Sequence, residues 1–386
     1  MAVTPIHRPI FVTGSERSGT TLIMAILGCH PEIAVPEVTW YYPRFRPYAF
    51  TYGDLSRPEN FRTLVNEMAY GLRKPFFGMD VNPATFGDEI AAGATDREQG
   101  FAGVFAAMLE RYAADEDKSR WGEKTPYNLF YIGEILEDFP TAQVVFITRD
   151  GRDVCAEFLD ASFGPTNMFA AAELWDIGQK AVAPWRRSLR ADQWYDVSYE
   201  ALVRDPEVEL EKICDFLGVD YAPAMLGFHT TETARRRGRT RDNAALGHPI
   251  SDKYVGRHSR ELSLRDQQIF SFVAGETMAD LGYVDLAEPL PLTDADIAHF
   301  VELDGRMRAA HLDAPGGWIV YESYNDWLID QREERRRAGL WSTAPDPAPF
   351  PIGHKFEEYF SGMRAMRKWK NHFSIKREYS QAKAVL

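Results

Sequence analysis

The feature of this 386-residue chain that most restricts its fold is a two-glycine loop, Gly14-Ser15-Glu16-Arg17-Ser18-Gly19-Thr20-Thr21. It lies between a short β-branched run, Ile10 to Thr13, and the apolar stretch Leu22 to Leu27. That succession predicts strand, loop and helix. Amides at the start of such a helix face the loop and can hold an anion, as in phosphate-cradling loops. In ATP-binding loops of this kind a lysine follows the second glycine; here Thr20 takes that place and Arg17 precedes the glycine, which disfavours an ATPase or kinase. The purely structural alternative is a glycine turn that caps a helix through Ser18 or Thr20.

Two more units repeat the alternation. Tyr127 to Phe139 has apolar residues at helical spacing, Pro140 ends it, and Val144 to Ile147 follows as a buried strand. Trp194 to Ser198 predicts a strand, and Glu209 to Leu217 puts Leu210, Ile213, Cys214 and Leu217 on one helical face. Alternating elements predict an α/β fold with a parallel sheet covered by helices. Residues 40–120 are aromatic-rich and irregular in pattern, as a cap inserted into the core would be. A Pro-marked joint after Tyr283 divides the chain into a catalytic domain, 1–285, and a helical C-terminal extension, 286–386, packed on it.

Charge and composition narrow the function. Fifty-seven acidic against 44 basic side chains give a net charge of −13, which argues against a general nucleic-acid partner, so any anion site is local. The three cysteines, Cys29, Cys155 and Cys214, lie far apart and support neither a disulfide framework nor a cysteine metal site. The nine histidines lack metal-ligand spacing and no Gly-x-Ser-x-Gly elbow occurs, so no metal is expected. With an apolar run at the N-terminus too short for a signal peptide, a soluble cytoplasmic protein is expected.

The loop resembles the 5'-phosphosulfate loop of sulfotransferases that use 3'-phosphoadenosine 5'-phosphosulfate (PAPS), in the bacterial and protein-tyrosine form with Arg before Ser-Gly-Thr-Thr. Further pieces resemble the family in order: Trp121-Gly122-Glu123-Lys124-Thr125-Pro126, Phe139-Pro140, Arg149-Asp150-Gly151-Arg152-Asp153-Val154, Tyr199-Glu200-Ala201-Leu202, Phe216-Leu217-Gly218 and Val255-Gly256-Arg257. The similarity runs from about residue 8 to 283 and is thin in the insert. It implies a P-loop-like three-layer α/β fold with a central parallel sheet, a helical insert and a helical C-terminal extension. It also implies a PAPS donor and no metal. The 5'-phosphate end falls to Ser15, Arg17, Ser18, Gly19, Thr20 and Thr21. The 3'-phosphate falls to Arg149, Gly256 and Arg257, and the adenine to Tyr199. A surface ion pair for Arg149 and a core position for Tyr199 are the structural alternatives.

Catalysis falls to Glu37, Lys124 and Arg17. Where some family members have a histidine after Lys-Thr this chain has Pro126, so the acceptor base is expected at Glu37, as in the tyrosine-protein branch; Glu32 is its competitor, and pairing with a local arginine such as Arg44 its structural alternative. Lys124 would hold the transferring sulfonate and Arg17 the charge developing on the leaving phosphate. Two positions depart from the pattern: Glu157 stands where the family has a phosphate-binding serine, and His258 follows Arg257 in place of a tryptophan. The run Arg235-Arg236-Arg237-Gly238-Arg239-Thr240-Arg241 would suit a mobile phosphate lid or a solvated loop.

The expected acceptor is a hydroxyl of a small molecule or lipid. Trp40, Tyr41, Tyr42, Phe45, Tyr48, Phe50, Phe76 and Phe77 would form either its apolar pocket or a local core. The basic, aromatic stretch from His354 to Leu386 would pack as a helix on the core or a second subunit, or touch a membrane surface. Two other functions remain open: an inactive nucleotide-binding protein, kept alive by Glu157, and a nucleotide-dependent phosphotransferase, which would require magnesium and ATP.

Overall fold

The computed structural model describes residues 8–72, 83–93, 100–161, 164–311 and 318–341. Strand β1, Ile10–Thr13, leads through the two-glycine loop into α1, Thr20–Leu27. A two-residue strand β2, Ile33–Ala34, follows, then the insert: α2 (Tyr41–Phe45), a 3-10 segment Arg46–Tyr52, α3 (Pro58–Leu72), α4 (Pro83–Gly93) and α5 (Phe101–Asp115). The chain returns to the sheet in β3, Arg120–Lys124, and continues through α6 (Ile132–Asp138) to β4 (Gln143–Thr148), α7 (Gly151–Asp160), α8 (Met168–Ser188) and β5 (Trp194–Ser198). Helices α9 (Tyr199–Arg204), α10 (Pro206–Leu217), α11 (Glu232–Arg237), α12 (His258–Glu261), α13 (Leu264–Asp280), α14 (Asp294–His311) and α15 (Trp318–Arg337) complete the described chain.

The five strands are parallel, in the order β2-β3-β1-β4-β5. Their side chains alternate between two cores. Phe11, Trp121, Val144 and Phe146 pack on the side of α5 and the insert, whereas Ile10, Val12, Val145, Ile147 and Val197 pack on the side of α1 and α10. A sheet covered on both faces needs near-continuous apolar strands, which β1 and β4 supply. Each such side chain, once fully buried, contributes about 1.5–3 kcal/mol. The connection from β1 runs to one side of the sheet and later returns to β4 on the other, so the loop after β1 opens at the switch point where open α/β sheets bind ligands.

One local expectation changes. The single helix expected over Tyr127–Phe139 is split into a 3-10 turn, Pro126–Phe130, and α6, because the Asn128 side chain is drawn onto buried Glu123 and the chain turns at Tyr131. The described insert is helical, and Tyr41, Tyr42 and Phe45 are fully buried: Tyr41 and Tyr42 meet the Phe105 ring, Phe45 meets Tyr41, and Tyr42 also meets the Phe11 ring at 6.0 Å. These three rings belong to the core on the insert side of the sheet. Phe76, Phe77 and the stretch from His354 lie outside the described residues.

Candidate active site

The loop after β1 is held in a conformation its sequence makes affordable at two glycines. A Cβ on Gly14 would stand 2.5 Å from the Ile147 carbonyl oxygen, and Gly19 has φ 104° with the Tyr199 ring against it. Arg17, between them, takes a left-handed φ of 67° without being glycine, a strained conformation of the kind found at binding sites. Its carbonyl accepts from Arg149 Nη1 at 2.9 Å and its side chain donates to the Asp242 carbonyl at 2.8 Å. The Ser15 hydroxyl accepts from Gln179 Nε2 at 3.3 Å, and Thr21 Oγ1 lies 3.5 Å from Lys124 Nζ. Ser18 Oγ is buried with no hydrogen-bond partner.

Arg149, at the end of β4, is also buried; its guanidinium lies 4.4 Å over the Tyr199 ring, and its Nε has no partner. Tyr199 is thus a buried ring that touches both the loop and Arg149. A cavity of about 230 Å³ runs between Arg17, Gly19, Thr20, Arg149, Tyr199 and Arg257. Glu157 reaches into it from α7 and meets Arg17 at 2.9 Å, Arg257 at 3.0 Å and Arg149 at 3.6 Å. Burial would raise its carboxyl, but Arg149, Arg17 and Arg257 hold it below the usual range. The Gly256 amide donates to Asp153 at 2.7 Å, and His258 Nδ1 lies 2.6 Å from the same carboxylate. Orphaned polar atoms, positive-φ loop glycine and convergent guanidiniums fit the oxygens of a phosphate or phosphosulfate.

The second half of the site is built on β3. Glu123 is fully buried and accepts from Thr39 Oγ1 at 2.6 Å and from Thr125 and Asn128; the Trp40 amide donates to Thr125 Oγ1 at 3.1 Å. This network fixes the Glu37–Trp40 segment beside Lys124. Burial and neighbouring Arg237 push the Lys124 ammonium down to about 7, against the opposing pull of Glu123, Glu37 and Glu16. Both oxygens of buried Glu37 are taken by arginines from α11, Oε1 by Arg236 and Oε2 by Arg237. The expected structural partner, Arg44, is not the one that pairs. The basic run thus covers the site: Arg236 and Arg237 sit on Glu37, and Arg241 on Asp160. Glu32 is exposed and its amide donates to His30.

Glu16 is a site carboxyl that the sequence does not single out. Burial pushes it up to about 7, against Arg17, Lys124 and a hydrogen bond with Tyr127. Its only sequence signal is its place beside Arg17. Among the described residues no cluster of His, Cys, Asp and Glu could hold a metal, and no helix is long and apolar enough to cross a membrane.

The arrangement puts cations at both ends of an anion loop and sets the Glu37 carboxylate among the charges that act on Lys124, which suits group transfer of an anionic moiety to a hydroxyl. Residues 9–223, more than half of the chain, match the profile of the sulfotransferase family. A putative protein-tyrosine sulfotransferase of Caenorhabditis briggsae is 25% identical over 230 residues, 57% of this chain and 69% of that one. An uncharacterised Aquifex aeolicus protein is 25% identical over 243 residues, 59% of this chain, which spans only 28% of that longer relative. Among solved structures, the sulfotransferase domain of the Synechococcus PCC 7002 olefin synthase superposes with a TM-score of 0.48 at 22% identity, covering 74% of this chain and 98% of that domain.

Proposed function

The chain belongs to the sulfotransferase family, and from that membership we propose that it transfers a sulfuryl group from PAPS to a hydroxyl of a small-molecule or lipid-like acceptor. The observation that carries this is the meeting of Lys124 and Thr21 at the anion loop, with Glu37 beside the same lysine. PAPS supplies an activated sulfuryl group; the protein's part is to position it and to stabilise spreading charge. The amides from Ser18 to Thr21 and the Thr20 and Thr21 hydroxyls hold the 5'-phosphate end, while Arg149 and Arg257 hold the 3'-phosphate and Tyr199 packs by the adenine. As the acceptor oxygen bonds to sulfur and the bond from sulfur to the phosphate oxygen breaks, Glu37 takes the acceptor's proton. Lys124 and Arg17 neutralise charge on the leaving oxygen. Three free, separated cysteines favour a cytoplasmic setting.

The test is transfer of labelled sulfate from PAPS in the presence of a metal chelator to three acceptors: a long-chain alcohol, a tyrosine-containing peptide and a sugar. The reading expects the alcohol to be sulfated. Transfer to the sugar alone would overturn the acceptor class. The pairing of both Glu37 oxygens with arginines favours a second reading, a nucleotide-binding protein without transfer. Donor binding with no transfer to any of the three would support it.

A further inference from the structure

Glu157 is overprovided with positive charge. One carboxylate, on a side chain 14% exposed, faces three guanidiniums delivered by three separate stretches: the loop after β1, the end of β4 and the turn before α12. Neutralising one buried carboxylate takes a single well-placed arginine. Three arginines converging on a point inside a cavity are instead what recognition of a phosphate dianion calls for, and a carboxylate offers them a smaller and less charged pair of oxygens. Arg149 meanwhile keeps a buried Nε without partner, so Glu157 does not use up the donors around it.

We infer that Glu157 is an internal anion standing where Arg17, Arg149 and Arg257 would take the donor's 3'-phosphate, so that it competes with that phosphate and sets the affinity for 3'-phosphorylated nucleotides. This rests on the donor proposed above. The local charges make the competition direct. Arg257 also faces Asp160 at 3.1 Å and Glu261, and Asp160 takes Arg241 as well, so four arginines face three carboxylates and the surplus is a single positive charge, too small for a phosphate dianion. A phosphate entering that balance is repelled until Glu157 leaves it, whereas Asp160 and Glu261 stay to orient Arg257. The two oxygens of Glu157 divide their partners, Oε2 on Arg17 and Oε1 on Arg149 and Arg257. Displacement of the carboxylate by a 3'-phosphate therefore also releases Arg17 towards the 5' end of the nucleotide. A nucleotide without the 3'-phosphate leaves Arg17 tied.

Calorimetric titration of the full chain, without metal, with 3'-phosphoadenosine 5'-phosphate and with 5'-AMP tests this in the wild type and in Glu157→Ser and Glu157→Gln. Both variants are expected to bind the bisphosphate about tenfold tighter or more, and to gain clearly less for 5'-AMP, which meets only the freed Arg17. Glu157→Gln keeps the side chain's shape, so it carries the comparison if the serine variant does not fold. A wild type that prefers the bisphosphate over 5'-AMP, with variants that bind it no tighter, overturns the competition and leaves the donor standing. A wild type and variants that all fail to tell the two nucleotides apart overturn the donor itself, and the competition with it.

Discussion

Glu37 and Lys124 divide the chemistry of the proposed transfer, and each can be tested alone. Replacing Glu37 by Gln removes the proton acceptor while leaving the donor loop intact, so kcat should fall about 10²–10⁴-fold with donor affinity nearly unchanged. A Glu37→Gln protein with undiminished turnover would remove Glu37 from the mechanism. Lys124 is useful only while charged, and burial places its ammonium near 7, well below the ordinary lysine value of 10.5. A lowered lysine value means that charge is lost as pH rises through it. Thus kcat/KM should decline above about pH 7, and Lys124→Arg, whose charge persists, should abolish that decline. Glu16 titrates in the same window, so Glu16→Gln is the control that should keep the decline. A wild-type profile flat to pH 9 would contradict this assignment. At this scale the sequence exposes what local motifs carry: Arg17, Lys124 and Arg149 stand in recognisable runs. It hides the pairings of Glu157 with Arg257 and of Glu37 with Arg236, because these join residues 100 and 199 positions apart and depend on how α7 and α11 pack.

Among the elements, β3 and α11 show most clearly where pattern reading stops. Strands β1 and β4 announce themselves as apolar runs, and β5 as an alternation of apolar with polar positions. In contrast β3, Arg-Trp-Gly-Glu-Lys, has no apolar run, because two of its five positions carry the buried charges of the site. A local rule gives way here to a functional demand. β2 is only two residues long and is defined by its pairing with β3. The short helix α11 is legible as a basic run, but its docking is not. Thr231 caps it by accepting from the Ala234 amide, and Arg236 and Arg237 hold it over Glu37. The two arginines should not count equally, since the Arg236 side chain is 47% exposed and that of Arg237 19%. Exposed pairs are worth about 0–1 kcal/mol, and shielded ones more. Arg237→Ala should therefore speed hydrogen exchange of amides 232–247 more than Arg236→Ala does, with β1 and β4 unaffected. Equal acceleration by both substitutions would show that desolvation does not govern the latch.

At the level of the whole molecule, the question is whether the helices after Tyr283 form a separate unit or share one folding transition with the core. The sequence places a proline-marked joint there, which by itself is compatible with either. The contacts of the described helices favour one unit. The Phe300 ring of α14 stacks on Phe169 of α8 at 5.8 Å, and Asn167 Nδ2 donates to the Phe300 carbonyl at 2.8 Å. Arg335 of α15 is buried against the insert: its Nη1 meets Glu67 at 2.5 Å, its Nε donates to the Thr51 carbonyl at 3.1 Å, and its guanidinium lies 4.3 Å over the Tyr52 ring. Glu67 also accepts from the Tyr52 hydroxyl. Because Arg335 and Glu67 are both buried, removing the Glu67 carboxylate strands the Arg335 cation, at a cost of about 3–5 kcal/mol. Glu67→Ala should thus lower the denaturant midpoint of the whole chain as a single shifted transition. Adding Arg335→Met should recover much of the loss, since the stranded cation is then gone. If α14 and α15 were an independent unit, Glu67→Ala would instead detach an early transition and leave the main one in place, and transfer activity would persist through that first step. A single transition carrying both the far-ultraviolet signal and the activity would mean that the C-terminal helices belong to the structure that holds Glu37, Lys124 and the anion loop in register.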